Sequence, residues 1–271
     1  MKKCCLAILM ALIISPIVPL FAQDKKNPQV FYGRVFRSQG DTLFYRVLYP
    51  KGYTENSRSK YPLVVVLHGE KWCKEGQFDN TKQLSSPVAE LFKRPETHDS
   101  FPAIVIIPQC EFDDPWAQFT PSDSANVVPF PCDPEQTYSG ELTERLINYY
   151  VKHHPVDKNR IYVIGQGAYG GSGALDLAVR NPDMFAAVVS IGGAVCPDRV
   201  KPIKKLPVRL YTSSSCKEVP LTLIQDVYIS LKMYGSTVEP IVDFSNMSED
   251  ECAATVTTTP DFLRWIFSKK K

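Results

Sequence analysis

The densest group of residues suited to chemistry lies in 160–178, RIYVIGQGAYGGSGALDLA. A strand-like run of Ile161, Tyr162, Val163 and Ile164 meets a glycine-dense turn and then a helical pattern. Such a corner is where α/β proteins place either an exposed nucleophile or a phosphate, because glycines let the backbone turn sharply and let a ligand approach a helix amino terminus. Two signatures overlap here. Gly170, Gly171, Ser172, Gly173 and Ala174 spell a GxSxA variant with Ser172 as its nucleophile, and GQGAYG spells GxGxxG, a dinucleotide fingerprint. The second lacks the acid expected about 20 residues on, since that region reads VVSIGGAV, so no cofactor is expected. Ser172 falls about one turn into the expected helix, where a small residue that lets the helix pack closely is the simpler reading.

The remaining reactive side chains are sparse. The four histidines are His68, His98, His153 and His154, with none carboxyl-terminal to 154. His153 and His154 precede Pro155 and suit the negative end of a helix dipole. Asp198, Glu218, Asp243, Glu249, Asp250 and Glu251 fall in loop-like segments, where solvated carboxylates are the ordinary case. No CxxC pair occurs and no histidine is spaced with cysteines as a ligand set, so no metal is expected.

Lys2 and Lys3 precede an apolar run over 4–14, followed by Pro16, Pro19 and the small residue Ala22. This is the pattern of a signal peptide over 1–22, too short and too broken by proline for a membrane anchor. A secreted or periplasmic chain over 23–271 is expected, with no stable anchor after cleavage. Without Lys2 and Lys3 the basic count falls from 31 to 29 and matches the 29 acids, which removes any electrostatic case for nucleic acid. Roughly 250 residues suit one α/β domain with a sizeable core. Six of the eight cysteines lie beyond 22, an even number that favours disulfides in an oxidising compartment.

The elements that must position the corner follow from periodicity. Alternation over 31–37 and 42–49 around Gln39, Gly40 and Asp41 writes a hairpin with one wet face. Continuous apolar runs over 63–67, 103–107, 161–164, 187–191 and 208–211, and a weaker one over 238–244, read as strands buried on both faces. Helical periodicity fills 84–92, 141–153, 171–180, 221–234 and 261–267. The fold class is therefore α/β: a mostly parallel, twisted sheet with an N-terminal antiparallel hairpin and helices on both faces. The aperiodic stretch 110–138, with Trp116 and Phe119, follows a buried strand at the sheet edge where such folds bind ligands.

The order of these elements, with YPKGY and KYPLVVVLHG, PQC with Trp116 downstream, VDKNRIYVIG and LDLAVRNPDMFAAVVSIGG, resembles the α/β-hydrolase superfamily. The nearest group is that of secreted carboxylesterases, feruloyl-esterase-like enzymes and peptidases related to prolyl oligopeptidase, and the resemblance covers nearly all of 23–271. It implies a GxSxG nucleophile elbow after the RIYV strand, with the oxyanion held by the next backbone N–H and by N–H groups just after HG. In GQGAYGG the serine position is Gly167 when aligned from the strand and Ala168 when aligned from the helix. The acid position holds Cys216, and the histidine position holds Glu249 or a close neighbour. Because the order is nucleophile, acid, histidine, the absence of any histidine beyond 154 leaves no conventional triad.

The resemblance thus implies a hydrolase fold with a degenerate triad at Gly167, Ala168, Cys216 and Glu249, acting as a binding or scaffold protein. The alternative is an active ester or peptide hydrolase using Ser172. The implied pocket comprises His68, Gly69, Trp72, Gln109, Trp116, Gln166, Tyr169 and Cys196, with a small carbohydrate or ester-like ligand. His68 is expected to shape the oxyanion loop. Since the acid and histidine loops are neighbours in this family, a Cys216–Cys252 disulfide is also implied. For Cys73, Cys110, Cys132 and Cys196 three pairings stay open.

Overall fold

The computed structural model describes residues 30–76, 79–118, 130–216 and 218–271. The segment read as a signal peptide, the stretch 23–29 and Phe119 lie outside these residues. The hairpin forms as expected from β1 (Tyr32–Ser38) and β2 (Asp41–Leu48), paired antiparallel. Gln39 and Gly40 turn with φ of 55° and 95°, the left-handed geometry whose twist matches a two-residue hairpin.

The later strands are β3 (Tyr61–Leu67), β4 (Ile104–Pro108), β5 (Val156–Gln166), β6 (Ala187–Ile191), β7 (Val208–Thr212) and β8 (Val242–Asp243). They form one sheet in the order β1-β2-β4-β3-β5-β6-β7-β8, antiparallel through the β2/β4 pair and parallel from β4 onward. The chain leaves β3 towards β4 on one side and returns to β5 on the other. The carboxyl ends of β3 and β5 are therefore adjacent at the reversal of strand order, where open α/β sheets bind ligands.

The helices are α1 (Pro87–Lys93), α2 (Pro95–Ser100), α3 (Tyr138–His153), α4 (Gly167–Arg180), α5 (Leu221–Met233), α6 (Glu249–Thr258) and α7 (Phe262–Phe267). The period of two along each strand divides the core. Leu63, Val65, Leu67, Ile161 and Val163 pack beneath α3, α4 and α5, while Val64, Val66, Tyr162 and Ile164 pack beneath α1, α6 and α7. Each such fully buried aliphatic contributes about 1.5–3 kcal/mol, which fixes the register of β3 and β5 side by side. Among the described residues no helix is long and apolar enough to cross a membrane.

Three expectations need correction. The helix expected from 171 begins at Gly167, so the glycine-dense turn is the first turn of α4. The strand expected over 238–244 shrinks to two exposed residues at the sheet edge. Helix α6 falls in a segment expected to be loop.

Candidate functional site

The strand-to-helix corner turns on one residue. Gln166 ends β5 in extended backbone, and Gly167 adopts φ +74° before α4 continues. A residue in this left-handed region between strand and helix is where a nucleophile elbow holds its nucleophile, which selects Gly167 over Ala168 for that position. Ala168 supplies the next backbone N–H. Neighbouring glycines allow the close approach: a Cβ at Gly165 would overlap the carbonyl of Gly170, and one at Gly173 would overlap Trp116.

Where a nucleophile side chain would begin stands the carboxyl group of Glu249. A Cβ at Gly167 would overlap Glu249 Oε1, and one at Gly69 would come within 3.0 Å of it. Ala168 N donates to Glu249 Oε1 at 3.1 Å. The carboxyl group is thus nested among Gly69 after β3, Gly167 after β5 and Gly192 after β6, whose φ is +76°. Its placement comes from α6. Ser248 Oγ accepts from Glu251 N at 3.3 Å and Glu251 Oε2 accepts from Ser248 N at 2.8 Å, a reciprocal cap that makes Glu249 the first residue of the helix. This S-x-x-E signal was present in the sequence and would have located α6.

Burial pushes the Glu249 carboxyl up to about 8, and Glu218 and Asp250 add to the effect, while the Ala168 N–H opposes it. It is therefore mostly protonated at neutral pH, and Oε1 accepts as the oxygen of a neutral acid. Cys216, at the acid position after β7, lies close by: one ligand-type atom from each of Cys216, Glu218 and Glu249 falls within 4.8 Å of the others. Burial, then Glu249, pushes the Cys216 thiol up to about 11, so it is not a thiolate nucleophile at neutral pH. The structure thus brings together Gly167, Ala168, Cys216 and Glu249, the four positions that the resemblance singles out.

A cavity of about 700 Å³ opens above them, lined by Glu70, Lys71, Phe112, Ser215, Cys216, Glu218 and Glu249 among others. Lys71 and Asp250 close one wall as an ion pair at 2.5 Å. The implied pocket residues lie below this surface. His68, Trp72, Gln109, Trp116, Gln166, Tyr169 and Cys196 are all buried, and Trp116 packs onto α4 at Gly173. Gly69 reaches the site only as backbone beneath Glu249. Cys196 is bonded to Cys132 and forms no wall.

None of the four histidines serves the corner. His68 is fully buried, its Nδ1 paired with Gly69 O at 2.9 Å and its Nε2 accepting from Cys110 N at 3.3 Å. Burial lowers its pKa to about 4, so it stays neutral and structural. His98 meets Tyr49 O, and His154 meets the Tyr53 hydroxyl and stacks on Tyr150. Ser172 is fully buried and its Oγ accepts from Ala194 N at 3.2 Å, a bond that ties α4 to the turn after β6. The implied Cys216–Cys252 bond is not formed, and both remain thiols.

A family model for Esterase matches residues 39–254. Among solved structures, a thermostable esterase aligns with TM-score 0.76 and 23% identity over 90% of this chain and 64% of its own. This chain thus spans less than two thirds of that relative. A CE1 ferulic acid esterase from the anaerobic fungus Anaeromyces mucronatus aligns with TM-score 0.57 and 17% identity over 86% of this chain and 91% of its own. An acylaminoacyl peptidase of Pyrococcus horikoshii aligns with TM-score 0.56 and 16% identity over 88% of this chain and 41% of its own. The comparison with curated proteins gave no match.

Proposed function

From the premise that the chain belongs to the Esterase family and has the α/β-hydrolase fold, we propose that it is an exported member that no longer hydrolyses esters and uses the old active-site cleft to bind a ligand. The observation that carries this reading is the carboxyl group of Glu249 standing where a nucleophile at Gly167 would stand. Acyl transfer by this fold needs a nucleophile, a base in contact with it and an oxyanion donor. Only the donor, Ala168 N–H, is in place, and Glu249 occupies it.

The ligand is a small hydroxylated molecule, a carbohydrate or an aromatic ester-like compound. Carboxylates and serines around the cavity can accept from and donate to hydroxyl groups, and Phe112, 60% exposed, offers an apolar face. Trp72 and Trp116 do not contribute, being buried. Export is supported by the Cys132–Cys196 disulfide, since such bonds persist in oxidising compartments.

The test is a thermal-shift panel of mono- and oligosaccharides and hydroxycinnamate esters on the purified chain, run beside product analysis of each ester. Stabilisation by one class without product is the expected result. Product release at a rate above solvent background would overturn the reading.

A further inference from the structure

Cys73 follows the 3₁₀ turn Glu70–Trp72, and Cys110 lies just past β4. Three hydrogen bonds hold the two segments side by side. Lys74 N donates to Cys110 O at 2.9 Å, Gln109 Nε2 to Trp72 O at 2.7 Å, and Cys110 N to His68 Nε2 at 3.3 Å. Between them the two sulfurs face each other at 3.6 Å, both buried, from positions 37 residues apart.

A buried pair of thiols this close can remain reduced, take a metal or form a bond. His68 offers a third ligand atom within 4.8 Å of both sulfurs. Both its ring nitrogens are already engaged, with Gly69 O and Cys110 N, so a metal would break bonds that hold the HG turn. Two thiols facing one another gain little as a hydrogen bond, sulfur being a weak donor and a weak acceptor.

We propose that Cys73 and Cys110 are a covalent modification site, oxidised to a second disulfide that fastens the Glu70–Lys71 wall of the cavity to the end of β4. The oxidant is a disulfide, either of a small thiol or of a thiol–disulfide oxidoreductase. The thiolate of one cysteine attacks one sulfur of it and releases the first thiol. The other cysteine then attacks the protein sulfur of the mixed disulfide and releases the second. Two electrons pass to the oxidant, and the two protons leave on the released thiols. Burial, then the contact with Cys73, pushes the Cys110 thiol well above its ordinary range. The wall is then held twice, by this bond and by the Lys71–Asp250 ion pair to α6. The proposal does not depend on whether the cleft hydrolyses esters.

The full chain, reduced and refolded with oxidised and reduced glutathione, is alkylated and mapped by mass spectrometry without reduction. The expected map contains the Cys73–Cys110 linked peptide beside the Cys132–Cys196 one. Alkylated Cys73 and Cys110 in a chain whose Cys132–Cys196 bond has formed would overturn the proposal, as would a bond from either cysteine to Cys216 or Cys252. Cys110→Ser should lower the oxidised protein's Tm by on the order of 10 °C and speed amide exchange over 70–76 about tenfold or more. Should that variant fail to fold, the map of the unsubstituted chain decides alone.

Discussion

Glu249 Oε1 fills the space that a side chain on Gly167 would need, and it is held there by the N–H of Ala168 at 3.1 Å. The two residues are mutually exclusive in size. A glycine at the elbow permits the carboxyl group, and the carboxyl group forbids anything larger than glycine.

Gly167→Ser and Gly167→Ala should each destabilise the protein by about 2–5 kcal/mol, combining a left-handed backbone with overlap on Glu249. Neither should gain ester turnover, because no histidine reaches the corner. Pairing Gly167→Ser with Glu249→Ala should recover roughly 1–3 kcal/mol of the loss, a coupling readable by a double-mutant cycle in urea. Strict additivity would show that the two side chains do not compete.

The pH dependence has a definite sign. Glu249 titrates at about 8 in the folded chain against an ordinary 4.5. Below 4.5 it is protonated in both states and costs nothing. Between the two values the unfolded chain loses the proton that the folded chain keeps, so stability falls as pH rises and levels off above 8. Glu249→Gln should remove that fall and be more stable than the unsubstituted chain above pH 8, by roughly 3–5 kcal/mol. Denaturation at pH 4, 6, 8 and 9 tests this; parallel curves for the two proteins would contradict it.

Asp176 anchors the helix that carries the elbow. Its buried carboxylate accepts from Arg180 at 2.7 Å and from Arg199 at 2.6 Å, joining α4 to the 3₁₀ segment Pro197–Ile203. Asp176→Ala leaves two guanidinium groups without it and should cost about 3–5 kcal/mol. A loss below 1 kcal/mol in urea denaturation would show that the pair is dispensable.

Ser172→Ala should cost about 1–3 kcal/mol, since it leaves the buried Ala194 N–H without its acceptor. Ligand affinity measured by titration calorimetry should not move. A drop in affinity with unchanged stability would place Ser172 in the site.

The sheet was legible in the sequence because its strands are written as unbroken apolar runs, and the run over 187–191 coincides with β6. Helix α6 was not. Its EDECAATVTT is rich in threonine and weak in apolar period, so only the Ser248–Glu251 cap marked it. Since α6 aims Glu249, the sequence named the residue but not its reach. The resemblance implies Trp72 and Trp116 on the pocket wall, yet neither it nor period and spacing carries information on which way a loop aromatic faces, and both are buried. The neighbourhood of the Cys216 and Glu249 positions was legible from the resemblance; the free state of Cys216 and Cys252 depends on side-chain directions that it does not encode.

The elbow position holds Gly167, which has no side chain to act as a nucleophile. The most direct test is incubation of the purified chain with a fluorophosphonate, which captures activated serines, followed by intact mass and by p-nitrophenyl acetate turnover on the same sample. The expected result is an unmodified mass and turnover at solvent background. A stoichiometric adduct, with turnover that the adduct abolishes, would contradict it.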